Sequence, residues 1–169
     1  MDEKKVKRHH DREDLAGEHK FGDTGQLILL LIFLIVWIGD SFILEYSTFL
    51  NNYIPAFVII IVSALFLITS GYISWRGLKI VFGEKREKPS VIRKGVFNKV
   101  RHPIYLGSIL LYLGLTITSC SIFSLIISMF IIAFYYYISK YEEKILLKKY
   151  GIDYENYIKE VPMWFPKIF

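Results

Sequence analysis

The chain has 169 residues, enough for one compact unit or a helical bundle rather than a pair of domains. It is 53% hydrophobic and 17% aromatic, more apolar surface than a soluble domain of this length can hide. Charge is gathered into three blocks that alternate with apolar runs, the arrangement of a chain built in a bilayer. The formal charge of +5 does not point to nucleic acid, because the basic residues lie where membrane topology would put them.

Residues 1–24, MDEKKVKRHHDREDLAGEHKFGDT, form a polar head. It can bury little apolar surface and is expected to be flexible. Its histidines, His9, His10 and His19, read as solvated rather than as metal ligands, and no metal site is expected. Residues 25–44 then supply about one bilayer thickness of apolar helix. That run is too long for the core of a signal peptide, so no cleavable leader is expected. A short polar link, EYSTFLNN, leads to a second span over 53–75, with Pro55 in its first turn and Tyr53, Tyr72 and Trp75 near its ends.

Residues 76–103 are basic and punctuated by glycine and proline. Two apolar runs follow, 104–118 and 121–138, separated only by Ser119 and Cys120, so they predict an antiparallel helical hairpin. The first run reaches only about 22 Å as a helix, short of the ~30 Å hydrocarbon core. The helix begun at 121 continues as an amphipathic extension to about Tyr150, where Gly151 is a natural stop. Asp153 is placed to cap a last short helix. The lone cysteine, Cys120, excludes an intrachain disulfide and reads as a small buried hydrophobe.

The blocks 1–24, 76–103 and 139–169 hold six, nine and six Lys and Arg residues, which is all 21. The links between paired spans hold none. About four spans place the three blocks on one side, and the positive-inside rule makes that side, with both termini, cytoplasmic. The expected fold is all-α: a polytopic membrane bundle with a C-terminal cytoplasmic extension. Its parts are a charged tail (1–24), two transmembrane helices (25–75) and a core of basic loop, helical hairpin and helical tail (76–169).

Two stretches carry candidate chemistry. In KGVFNKVRHPIYLG, residues 94–107, proline disfavours helix at the preceding residue and fits the first helical turn. His102 therefore stands at the mouth of the third helix, with Pro103 just inside. Free N–H groups and a positive dipole end suit a carboxylate or phosphate there, and Arg101 and His102 add donors. Tyr105 offers a ring face for a cation and a hydroxyl, and Gly107 permits close approach to the backbone. The second stretch is Tyr141-Glu142-Glu143. Glu142 falls on the helix face of Ile138 and Ile145, with Glu143 about 100° away. A carboxylate on an apolar face near a membrane needs a partner or a task. Asp40, late in the first span, reads as a side chain reaching toward water at the opposite side. The competing reading of both stretches is an anchoring loop at the lipid head groups and a solvated acidic pair.

The order of these residues carries a likeness. Gly95 and Phe97 precede Arg101-His102-Pro103, and Tyr105 and Gly107 open a hairpin. Glu142-Glu143, Tyr150-Gly151, Tyr154 and Tyr157, Val161-Pro162 and Pro166 follow. The set resembles the isoprenylcysteine carboxyl methyltransferase family and its relatives, the phospholipid methyltransferases, over about residues 90–168. The resemblance implies a cytoplasmic pocket for S-adenosyl-L-methionine formed by the hairpin, the extension and the folded-back tail. It implies that His102 and Tyr105 contact the methionine part and that Gly107 shapes the pocket. Glu142 or Glu143 would bind polar groups, and the tail from Val161 and Pro162 would pack over the adenine. Many members carry Arg directly after Val-Pro, where this chain has Met163; Lys159 or Lys167 could substitute for it.

The activity so implied is methyl transfer to a lipophilic acceptor, with Glu142 and Arg101 as candidate catalytic residues. A prenylated carboxylate is the first expectation and a phospholipid amine the second; an amine would need Glu142 as a base. The acceptor would enter from the bilayer, among membrane lipids. The rival class is a small non-enzymatic membrane protein.

Overall fold

The computed structural model describes residues 22–83 and 90–165. Most of the polar head, including its histidines, and Pro166 and Lys167 lie outside the described residues. The described residues contain helices and no strand, as expected. Helix α1, Gly22–Ile38, widens into a π-helical continuation, Gly39–Leu44; α2 is Ala56–Phe82, α3 Pro103–Ser119, α4 Ile122–Tyr150 and α5 Ile152–Glu160. Three segments are long and apolar enough to cross a membrane, Thr24–Leu44, Ala56–Phe82 and Ile122–Tyr150. Helix α3, at 17 residues, is about 25 Å long.

The bundle is apolar outside and partly polar inside, the reverse of a soluble protein. Ile35, Ile68 and Phe130 are 72%, 71% and 66% exposed, whereas Ser124, Ser128 and Ser139 are fully buried. Lipid-facing apolar surface with small polar residues between helices is what a bilayer solvent selects.

Four boundaries differ from expectation. Helix formation starts at Gly22, inside the polar head. Helix α2 continues beyond Trp75 through Arg76 and Lys79 to Phe82, so its last turns carry part of the basic segment expected to be loop. Lys and Arg are good helix formers, and the chain leaves the helix only at Gly83. The third concerns α5, whose N-cap is Gly151 with no side-chain bond. Asp153 instead lies in the first turn, where its charge complements the helix dipole. The second span also starts later than expected, at Ala56, so that Pro55 is the N-cap of α2 rather than a residue of its first turn. Gly151, with φ of 53°, ends α4 as expected.

Helix α3 lies closely along α2. A Cβ on Gly107 would run into the Ser74 hydroxyl, and the Ser70 hydroxyl donates to the Gly107 carbonyl at 2.7 Å. Small residues thus bring the backbones together without a layer of side chains. Inside the bundle, Phe33 of α1, Ile109 and Tyr112 of α3, and Ile131 and Tyr135 of α4 form a core that Trp164 of the tail joins.

At the end holding the α1–α2 link and the α3–α4 turn, Asp40 is 3% exposed and does not reach water. It accepts from the Ser47 amide at 3.1 Å and from the hydroxyls of Ser47 and Ser121. Ser121 also caps α4 by accepting from the Ser124 amide at 3.1 Å. The expectation of a solvent-seeking carboxylate fails because the link folds over it and supplies the donors that water would have given.

Candidate functional site

The opposite end of the bundle gathers the sequence-predicted residues. Local backbone chemistry sets the first group. His102 is the N-cap of α3 and Pro103 its first helical residue, as predicted. Beyond α5 the chain turns back to the mouth of α3, where the Arg101 amide donates to the Pro162 carbonyl at 2.9 Å and the His102 amide to the Met163 carbonyl at 3.2 Å. Two amides that could have greeted an anion are thereby spent on the tail.

Arg101 is the centre of this junction. Its Nε donates to Glu143 Oε1 at 2.7 Å, and its terminal nitrogens bond the carbonyls of Ile158 and Val161 and pair again with Glu143. The two side chains are 7% and 5% exposed. Arg101 is therefore a strut that joins α3, α4, α5 and the tail. Tyr157 adds a second tie, its hydroxyl donating to the Phe97 carbonyl at 2.6 Å.

Both glutamates of α4 converge on His102. Its Nδ1 lies 3.6 Å from Glu142 Oε2 and its Nε2 lies 3.4 Å from Glu143 Oε1. Burial depresses the imidazole pKa; Glu143 pulls it back up, while Arg101 and Lys140 push it down. The neutral ring is therefore favoured, and these are contacts of a dipole rather than ion pairs. Lys140 donates to the second oxygen of Glu143 at 3.1 Å. Glu143 is the more buried of the two carboxylates, and Arg101 and Lys140 both pair with it. Helical spacing alone suggested the opposite emphasis, because it could not anticipate that Arg101 would arrive on the Glu143 side.

Glu142 accepts from the Tyr105 hydroxyl. The Tyr105 ring stacks on His102 with centroids 5.7 Å apart and planes 3° apart, and lies 5.2 Å from the Tyr135 ring. Arg101, His102, Tyr105, Glu142, Glu143, Val161 and Pro162 are thus one cluster, the last two contributing backbone carbonyls. Gly107 stands apart, on the side of α3 that meets α2.

Sequence reasoning did not single out Tyr135, Met163 as a packing residue, or Trp164. Met163 and Trp164 insert the tail into the bundle core. Lys159 pairs with Glu155 on the exposed side of α5, at 2.6 Å. Beside the cluster, an open polar cleft of about 420 Å³ lies between α5 and the segment that leads toward α3, lined by Ser90, Val91, Arg93, Tyr150, Asp153, Asn156 and Glu160. Arg93 and Glu160 pair across it at 2.8 Å.

Two buried nitrogens of the site, His102 Nε2 and Trp164 Nε1, have no well-aligned hydrogen-bond partner among the described residues. Buried polar atoms of this kind can be met by a ligand or by water. Together with two carboxylates and stacked aromatic faces, they fit a molecule that carries both acceptors and a cation.

Comparison with known proteins bears on what that molecule is. The phospholipid methyltransferase family profile matches residues 52–153, from the α1–α2 link into the first turn of α5. A methanethiol S-methyltransferase of Crocosphaera subtropica (strain ATCC 51142 / BH68) is 28% identical over 148 residues, 86% of this chain. The chain spans about half, 49%, of that relative's length. No solved structure matches. The family match includes Arg101 to Tyr105 and both glutamates and covers more than half of the chain, which belongs to the phospholipid methyltransferase family.

Proposed function

We propose that this protein is an integral membrane methyltransferase that uses S-adenosyl-L-methionine to methylate a lipophilic acceptor. The observation that carries the reading is the convergence of His102, Tyr105, Glu142 and Glu143 under the tail, within a chain of this family. When bound, the cofactor supplies an activated methyl group on a sulfonium. His102 and Trp164 would donate to its polar groups, Glu142 would accept from them, and Tyr105 would offer a ring face to the cation. Arg101 is a positioning residue, since most of its donors are engaged by Glu143 and by carbonyls of Ile158 and Val161. The aromatic and apolar core beside the cluster would exclude water from the reacting groups.

A prenylated carboxylate acceptor would be held best by a guanidinium with donors to spare, and Arg101 is committed elsewhere. The relative named for methylating a thiol favours a lipophilic thiol instead, so the thiol is the preferred acceptor, reached from the bilayer. The Lys and Arg distribution supports an orientation with the site in the cytoplasm.

The test is calorimetric titration of the detergent-solubilised chain with S-adenosylhomocysteine. Saturable heat is expected from the unaltered protein. Glu142→Gln and His102→Ala should each weaken binding about tenfold or more, the loss of a buried hydrogen bond of ~1–3 kcal/mol. An absence of binding by the unaltered protein would end the proposal.

A further inference from the structure

Tyr105 belongs to two environments at once. Its ring packs against the buried core, beside Tyr135, while its hydroxyl donates to Glu142. Glu142 in turn touches the neutral His102 through its other oxygen, at 3.6 Å. A phenol can donate one hydrogen bond and accept another. It therefore links the apolar interior, where a lipophilic acceptor would lie, to a carboxylate that can take up a proton.

We infer that Tyr105 is a catalytic proton relay, passing the proton of a thiol acceptor to Glu142. The inference rests on the thiol reading above. An alkyl thiol is mostly protonated near neutrality, with a pKa of about 8.5 for cysteine, and apolar surroundings raise it further. Only the thiolate is a strong nucleophile. As the sulfur of the acceptor attacks, its S–H bond breaks and the proton passes to the Tyr105 oxygen. The Tyr105 hydroxyl proton moves to a Glu142 oxygen. The sulfur pair forms the new S–CH3 bond while the bond from that methyl to the sulfonium donor breaks, leaving two neutral thioethers and protonated Glu142. Because the proton leaves as the new bond forms, a free thiolate never accumulates beside two carboxylates.

The charged and titratable groups facing this relay come from each element packed on it. They are Arg101 and His102 at the mouth of α3, Tyr135, Lys140 and Glu143 on α4, and Tyr154 on α5. Arg101 and Lys140 pair with Glu143. Glu142 is the carboxylate to which the phenol is bonded, and it is the acceptor of the proton.

The experiment compares the full chain with its Tyr105→Phe variant, in detergent, using hexanethiol as acceptor from pH 6.5 to 9.5. S-adenosylhomocysteine binding is titrated in parallel. The variant should bind the homocysteine product within about twofold of the unaltered protein, yet lose about 10²–10⁴ in rate at pH 7. Its rate should then climb about tenfold per pH unit, as thiolate formed in solution replaces the relay. A more acidic fluorinated thiol should rescue it at neutral pH. The relay is overturned if the variant's rate is unchanged or is reduced equally at every pH. Lost product binding, or no thiol methylation by the unaltered protein, would overturn it too. Should Tyr105→Phe not fold, Glu142→Gln, assayed at saturating cofactor to offset its weaker binding, carries the comparison of pH profile and acidic thiol; a rate unchanged or reduced equally at every pH overturns the relay there too. Failure of the unaltered protein to bind S-adenosylhomocysteine would instead remove the parent reading.

Discussion

His102 shows how one buried side chain links the site to stability. Its ring is held neutral mainly by burial, against the upward pull of Glu143. The unfolded chain titrates near the free value of ~6.5. Below that value the unfolded state binds the proton more readily than the folded one. The His102 contribution is therefore complete above about pH 6.5 and is lost as pH falls toward the lower folded-state pKa. Thermal unfolding of the detergent-solubilised protein should show a midpoint that drops on acidification through this window. His102→Gln should flatten that part of the profile; an unchanged acid slope would show that other groups produce it. Arg101 illustrates the limit of reading residue type. It is an Arg next to a His at a helix mouth, which suggests ligand binding, yet the fold commits it to a buried carboxylate and two carbonyls.

At the scale of elements, the two ends of the hairpin are fixed by different devices. The mouth of α3 is tied by the tail's backbone, and the α3–α4 turn is tied by Asp40. Asp40 joins α1, the α1–α2 link and the start of α4 through Ser47 and Ser121. The Ser47 hydroxyl also accepts from the Phe123 amide at 3.1 Å, so the link holds the first turn of α4 directly. Asp40→Ala leaves buried hydroxyls without their acceptor. It should destabilise the protein by about 1–3 kcal/mol, read as a lower unfolding midpoint in detergent. Because this knot lies at the far end from the cluster, S-adenosylhomocysteine affinity of the folded variant should stay within about twofold. A stability equal to the unaltered protein would mean that the link is not held by this carboxylate.

For the molecule as a whole, orientation is the property with a direct test. The described parts of the basic blocks meet at one end, where Arg101 pairs with Glu143, and the Asp40 knot marks the other. Under the orientation proposed from the charge bias, the basic end would face the inside of the cell. In a Cys120→Ser background, a cysteine at Lys94 should be shielded from membrane-impermeant maleimide in intact cells and labelled after permeabilisation. A cysteine at Asn52 should be labelled in intact cells. The reverse pattern would invert the topology and remove the cytoplasmic placement of the site.

The apolar runs, the helix stops and the His102-Pro103 helix start were legible in the sequence because each depends on neighbours along the chain. Periodicity and proline geometry are local properties, and helix type, hairpin connectivity and the mouth of α3 followed from them. The ordered motif set also announced that Arg101–Tyr105 and Glu142–Glu143 belong together, though not how. Contacts between residues far apart in sequence decided the rest. Tertiary packing chose Glu143 over Glu142 as the partner of Arg101, turned Gly107 toward α2, folded Met163 and Trp164 into the core, and buried Asp40 under serines. No local rule specifies these choices. Each depends on which donor or small surface the folded chain brings opposite, and a buried polar group must take the partner that arrives or remain unpaired.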